Sequence, residues 1–229
     1  MEDTTKLNTS KLGTQQYWDD FYAVEKSNFE ENPQDTGECW FDDSNAEEKM
    51  VDFMLDHLGQ FCIDKNSSMI DLGTGNGHLL FQLHEEGFGG KMVGVDYSFK
   101  SVEFAQEILK TQYQDSDNFE FSAADIFDPN WQPPKFDVVL DKGTLDAIAL
   151  SGLKMANGES IVQAYPEVIE KLTKKDSVFL ITSCNFTEAE LKQIIESESL
   201  QLWQSIKYPA FRFGGQEGST ICSLAFVKK

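Results

Sequence analysis

Apolar residues along the chain follow two alternating rhythms. Short runs that are apolar almost throughout, at Ser68–Leu72 (SMIDL), Lys91–Val95 (KMVGV), Phe119–Ala123, Phe136–Leu140 (FDVVL) and Ser177–Thr182 (SVFLIT), predict buried strands. Between them, apolar residues recur every third or fourth position, which predicts helices over Asn76–Glu86 (ending near Gly87), Ser98–Lys110, Glu159–Leu172 and Thr187–Glu196. Thr187, with Glu190 three residues on, forms a capping box. Upstream, Tyr17–Tyr22 (YWDDFY) places aromatics at helical spacing. Asp42–Leu58 carries Ala46, Met50, Phe53, Met54 and Leu58 on one face, with Ser44 as the expected cap. The last two predicted strands, Leu200–Tyr208 and Ser219–Val227, have no helix between them, only the glycine-rich FGGQEG.

Strand–helix alternation predicts an α/β fold, a parallel sheet with helices on both faces. Two consecutive strands at the end are most simply antiparallel, so a hairpin closes the sheet. No repeat or linker divides the 229 residues, which suits one domain over residues 13–229 behind a polar, loose tail at 1–12.

Charge narrows the range of partners. The 39 acidic and 19 basic residues give a net charge of −20, and residues 1–60 hold 15 acids against 4 bases. Such a field repels nucleic acids and anionic membranes and draws a basic partner, besides keeping the surface soluble. Cys39, Cys62, Cys184 and Cys222 are scattered without a CxxC pair, so neither a zinc nor a disulfide framework is expected, and reduced thiols fit the cytosol. The N-terminus has no apolar core of a secretory signal, and no stretch reaches the roughly 18 apolar residues of a membrane span. A cytoplasmic protein is expected, with the nucleus also open to it.

Candidate chemistry begins at Ile70–His78, IDLGTGNGH. The first strand runs into Gly73, Gly75 and Gly77, then into a helix, the position where open parallel sheets bind ligands. A dinucleotide fingerprint would place its last glycine where His78 stands, and Asp71 would repel a pyrophosphate. The same carboxylate suits a ligand carrying an ammonium or sulfonium. Asp96 ends the second strand, where an acid accepts both ribose hydroxyls. Asp125 and Ile126 follow the third, offering a carboxylate for an exocyclic amine and an aliphatic face for a base. Each acid alone could merely solvate a turn. In order after successive strands, they describe a nucleoside with a cationic amino-acid group and no phosphate: S-adenosylmethionine, leaving as S-adenosylhomocysteine.

With these residues the chain resembles the seven-strand, Rossmann-like methyltransferases, whose doubly wound sheet has the order 3-2-1-4-5-7-6. The segments KLGTQQYWDDFY, DTGECWF, DLGTGNG, VDYS, DKGTLDAI, LITSCNFT and FRFGG are similar to those of the eukaryotic lysine methyltransferases that modify translation elongation factor 1-alpha. The resemblance implies a basic protein substrate, that factor, and a monomer. It implies that Gly73, Gly75, Asn76 and Gly77 form the cofactor loop beside Asp71, that Asp96 and Tyr97 hold ribose and adenine, and that Asp125 and Ile126 frame the adenine. It also implies that residues of about 13–60 form a lid, with Trp18, Tyr22 and Trp40 over the sulfonium. In one respect the chain departs from many base- and glutamine-modifying methyltransferases, which carry an Asn/Asp-Pro-Pro-aromatic tetrad after the fourth strand. Here DKGT stands in its place, which counts against nucleic-acid substrates.

Methyl transfer from a sulfonium is an in-line displacement, so positioning supplies much of the catalysis. A lysine ammonium (pKa about 10.4) must first lose its proton. Asp141, at the end of the fourth strand, is the expected catalytic residue, orienting the amine, and Lys142 is expected to touch the cofactor. Thr144 is expected to cap the following helix and Asp146 to meet its dipole. His57, His78 and His84 are expected to form no constellation, and no metal is expected. A small-molecule methyltransferase, a non-catalytic cofactor-binding subunit and an NAD-dependent dehydrogenase are the competing readings; the last lacks the final glycine.

Overall fold

Strands whose residues are apolar throughout become the centre of a seven-stranded sheet. The computed structural model describes residues 7–209, 211–213, 216–218 and 220–229. The strands are β1 (Met69–Leu72), β2 (Met92–Asp96), β3 (Phe119–Ala123), β4 (Phe136–Lys142), β5 (Thr173–Ser183), β6 (Leu200–Ile206) and, after a small two-stranded ribbon of β7 (Phe211–Phe213) and β8 (Gln216–Gly218), β9 (Cys222–Lys228). The order is β3-β2-β1-β4-β5-β9-β6. With β9 counted as the seventh strand of the sheet, this is the predicted 3-2-1-4-5-7-6. Neighbours from β3 to β5 are parallel, and β9 runs antiparallel to both β5 and β6.

The helices are α1 (Gln15–Glu31), α2 (Ala46–Asp56), α3 (His78–Glu85), α4 (Phe99–Gln112), α5 (Thr144–Ser151), α6 (Tyr165–Leu172) and α7 (Glu188–Ile195). Alternation along β4 shows why both faces are covered. Val138 and Leu140 join Met50, Met54, Leu80 and Phe104 on one side, and Val139 joins Leu145, Ile169 and Leu191 on the other. Each such fully buried aliphatic side chain contributes about 1.5–3 kcal/mol, so the parallel core fixes the register. That register sets Leu72 opposite both Val95 and Asp141, and Asp96 opposite Ala123. The carboxyl ends of β1 to β4 therefore form one edge.

Several boundaries differ from the predicted ones. Ser44 does not cap α2: it lies in a short 3-10 turn, Asp42–Ser44, and Asn45, in the left-handed region, precedes the helix without a side-chain cap. The helix predicted over Glu159–Leu172 divides into a 3-10 turn, Ile161–Ala164, and α6. Pro166 lacks the N–H an interior position would need, so it belongs in a first turn. Residues 7–13 are not a loose tail. Ser10 N donates to Leu150 O at 3.0 Å, Leu7 packs on the core face of α5 to α7, and Lys11–Gly13 forms a 3-10 turn. The rest of the predicted tail (1–6), Gly214 and Gly215 of FRFGG, and Ser219 of the last predicted strand lie outside the described residues.

Candidate functional site

A cavity of about 610 Å³ opens along that edge, beneath α1 and the segment joining α1 to α2. Of the residues expected to hold a cofactor, Trp18, Tyr22, Trp40, Asp71, Gly73, Gly75, Asn76, Asp96, Tyr97, Asp125, Ile126 and Lys142 all line it. Gly77 does not. It is the left-handed residue before α3, and a Cβ there would lie 2.8 Å from Phe121, so its glycine serves packing rather than a ligand.

The loop is tight because the protein itself crowds it. Gly75 has φ +57°, and a Cβ on it would meet the Tyr22 hydroxyl at 2.3 Å. Its N–H donates to Asp96 Oδ2 at 3.0 Å, while Ser98 N donates to Oδ1 at 2.8 Å. Asp96 is thus held rigidly at the end of β2, 7% exposed, with lone pairs left over. Asp71 is as deep, at 3% exposure, and burial pushes its carboxyl up to about 7. Asp125 is exposed and accepts from Phe127 N at 2.9 Å.

The roof is fastened at several points. Gln15 Nε2 donates to Tyr97 O at 2.6 Å, and Ser98 Oγ donates to Asp19 at 2.7 Å, which pins α1 over β2. Trp18 stacks near Tyr22 with centroids 6.1 Å apart and meets Trp40 edge-on at 5.1 Å. Trp18 Nε1 donates to Leu12 O at 2.7 Å, Asn76 Nδ2 to Thr36 O at 2.8 Å, and Lys142 Nζ to Trp40 O at 3.1 Å. The indole N–H of Trp40 is buried without a partner in the described residues. Next to it, Phe41 takes a left-handed conformation (φ 69°), rare for a bulky residue and a kind of strain that gathers at ligand sites.

The family-model comparison matches residues 63–218 to "Methyltransferase domain". The chain belongs to the methyltransferase-domain family. It is 56% identical to the Saccharomyces cerevisiae protein-lysine N-methyltransferase EFM4 over the full length of both chains. It is 34% identical to the mouse EEF1A lysine methyltransferase 2, covering 96% of this chain and 85% of the relative. Among solved structures, magnesium protoporphyrin IX methyltransferase from Synechocystis with bound SAM shares the fold at a TM-score of 0.58 and 15% identity, covering 91% of this chain and 97% of that one.

Within the methyltransferase frame, the segment DKGTLDAI works differently from expectation. Asp141 is fully buried and does not line the cavity. Its Oδ1 accepts from Thr144 N at 2.8 Å, and its Oδ2 accepts from Leu145 N at 3.1 Å and from the Tyr165 hydroxyl. It therefore supplies the capping of α5 expected of Thr144, and, fully buried, it presents no carboxylate oxygen to the cavity. Thr144 instead sends its hydroxyl to Leu72 O at 2.5 Å, tying α5 to β1. Asp146 does stand in the first turn of α5, but it also lines the cavity. There it receives Ser183 Oγ at 2.5 Å, Cys184 N at 2.9 Å and Asn185 N at 3.3 Å. The loop after β5 is thereby held to the cavity wall. The sequence offers Asp146 only as a partner of the helix dipole and does not single out Asn185, since LITSCNFT carries no residue pattern that announces a ligand.

Lys142 lines the cavity, yet its ammonium is directed elsewhere, to Trp40 O and to Glu47 Oε2 at 3.4 Å. Glu47, 6% exposed, also pairs with His78 Nδ1 and takes the Cys39 thiol at 3.5 Å. Burial raises the Glu47 carboxyl, but His78 and Lys142 outweigh it and hold it below the ordinary carboxylate range. His78 is held up at about 10 by the Cys39 sulfur and by Glu47. The expectation that the histidines form no constellation does not hold: the fold brings His78 together with two residues more than thirty positions upstream.

Proposed function

We propose that the chain is an S-adenosylmethionine-dependent protein-lysine N-methyltransferase acting on translation elongation factor 1-alpha, as a monomer in the cytoplasm and nucleus. The observation that carries the cofactor assignment is the cavity's charge. Three deeply buried acidic side chains, Asp71, Asp96 and Asp146, line it, and its one deep ammonium among the described residues, that of Lys142, is already engaged by Trp40 O and Glu47. Such a wall suits a cationic amino acid and a diol and is hostile to phosphate. The partnerless Trp40 N–H supplies a donor for a bound ligand, and the volume fits a nucleoside-sized molecule. The lysine substrate rests on the relatives named above, and the acidic N-terminal quarter supports a basic partner.

When bound, the cofactor supplies an electrophilic methyl group on a sulfonium. The chain's own residues place it. Asp96 would take the ribose hydroxyls, Asp71 would face the cationic end, and Ile126 would lie against the base. Trp18, Tyr22, Trp40 and Phe41 would exclude water from the methyl end, and the loss of water there would favour the neutral form of an entering lysine, the form with a lone pair. Asp146 orients the Cys184–Asn185 loop that borders the same space.

Labelled S-adenosylmethionine mixed with the protein and a cell lysate tests the reading. One basic protein labelled on lysine is expected. Label confined to small molecules, or none, refutes it.

Cofactor affinity should depend on pH through Asp71. Its folded carboxyl, raised to about 7, prefers to be neutral, so the free protein loses stability as pH rises from the usual carboxylate range (about 4) through 7. A cation bound beside it favours ionisation. Binding therefore tightens as pH rises through that window and saturates above it. Calorimetric titrations at several pH values should show this rise, and Asp71→Asn should flatten it.

A further inference from the structure

We propose that Cys39, Glu47 and His78 form a binding site for a zinc-like divalent cation, separate from the cofactor cavity's carboxylates. The three ligand atoms, a sulfur, a carboxylate oxygen and an imidazole Nδ1, already lie within 4.8 Å of one another. A tetrahedral ion with bonds of about 2.0–2.3 Å holds its ligand atoms about 3.3–3.8 Å apart, which the Cys39–Glu47 pair already meets at 3.5 Å and which side-chain rotation of His78 would reach by opening its hydrogen bond to Glu47. The donor set selects the metal class. Thiolate and imidazole suit zinc, and a hard ion such as magnesium would reject both. Glu47, at 6% exposure, gives the site a rigid floor on α2.

Beside the cluster lies an open, acidic hollow. Asp43, Glu48, Asp52 and Glu86, all exposed, line the same cavity as Cys39, Glu47 and His78. Their field concentrates cations at the mouth, and the open side leaves room for a water as fourth ligand.

Lys142, 3.4 Å from Glu47, opposes a second cation unless the ligands neutralise it. Charge balance answers this. A thiolate and a carboxylate bring two negative charges to one divalent ion, so the metal and its three ligands together are neutral beside Lys142, and any proton on the Cys39 sulfur or the His78 ring leaves as the ion enters. Lys142 keeps its bond to Trp40 O. The metal then joins the roof segment, through Cys39, to the first residue of α3, directly after the glycine loop.

Cobalt(II) titration of the full chain tests this, without any need for methyl transfer, so its failure is distinct from failure of the lysine-methyltransferase reading. One equivalent should give a near-ultraviolet thiolate-to-cobalt band with tetrahedral visible intensity, and zinc should displace it. Cys39→Ser should abolish the near-ultraviolet band, while Cys184→Ser keeps it. His78→Gln should weaken zinc binding by about 100-fold, one of three protein ligands being gone. Far-UV circular dichroism checks that each variant is folded, and His78→Gln, which keeps the sulfur, serves if Cys39→Ser is not. A wild-type chain without the band, or a band that survives Cys39→Ser, overturns the proposal.

Discussion

Replacing Asp141 with alanine should lower the melting temperature by about 10 °C. The substitution strands the N–H of Leu145 and the hydroxyl of Tyr165, both fully buried, and the half-buried N–H of Thr144. Each unsatisfied buried group costs about 1–3 kcal/mol, so a loss of about 3–5 kcal/mol is expected, and about 2–4 °C per kcal/mol applies to a chain of this size. Asp141→Asn keeps the shape and one acceptor, and its loss should be smaller. Thermal melts of both variants, with turnover measured per folded molecule well below the transition, check the assignment. A catalytic Asp141 would give the reverse pattern: an unchanged melting temperature with turnover gone from Asp141→Asn.

The second large effect belongs to Asp96→Ala. Bonds from an ionised group to two ribose hydroxyls are worth about 1.5–3 kcal/mol each, and the variant also releases Gly75 N and Ser98 N from their shared acceptor. A total of about 3–4 kcal/mol corresponds to a 10²–10³-fold weaker dissociation constant for S-adenosylmethionine. Isothermal titration measures it directly. A loss under about tenfold would show that the ribose lies elsewhere. The melting temperature should fall as well, because Gly75 N and Ser98 N lose their acceptor in a buried setting, so the affinity is measured well below the transition.

These two aspartates mark how far a sequence can be read. Both end strands whose apolar runs announce them, so their place at the carboxyl edge follows from strand order alone. Asp96 does what that place predicts because its oxygens turn toward the loop. Asp141 occupies the same edge, but α5 begins immediately after it, and the nearest unpaired donors are the helix's own N–H groups. Direction of a side chain at a strand end depends on what packs above and below. For Asp141 the deciding partner is Tyr165, which comes from a different helix 24 positions downstream. The cluster of Cys39, Glu47 and His78 was hidden for a related reason. Its members come from a loop and two helices that meet only when α2 packs on α3, and no spacing rule connects them. The strands and the glycine loop are legible because each rests on neighbours in sequence, whereas the sheet order, which pairs β1 with β4, comes from the family resemblance. The capping box at Thr187 and Glu190 is present as predicted, by the same logic of local contact. The docked residues 7–13 were not legible, since a polar segment shows no sign of the surface it will lie on.

One feature of the roof bears on how such a chain can vary. Leu12, Thr36 and Trp40 are held by their carbonyl oxygens, which accept from Trp18, Asn76 and Lys142. A carbonyl is supplied by any residue, whereas the donors must be those side chains. Relatives with other substrates could therefore exchange the residues at positions 12 and 36 freely, while positions 18, 76 and 142 tolerate little. The constraint falls on three donor side chains, one on α1 and two on the floor of the site, and the outward face of the covering segment is left open to drift toward a new protein surface.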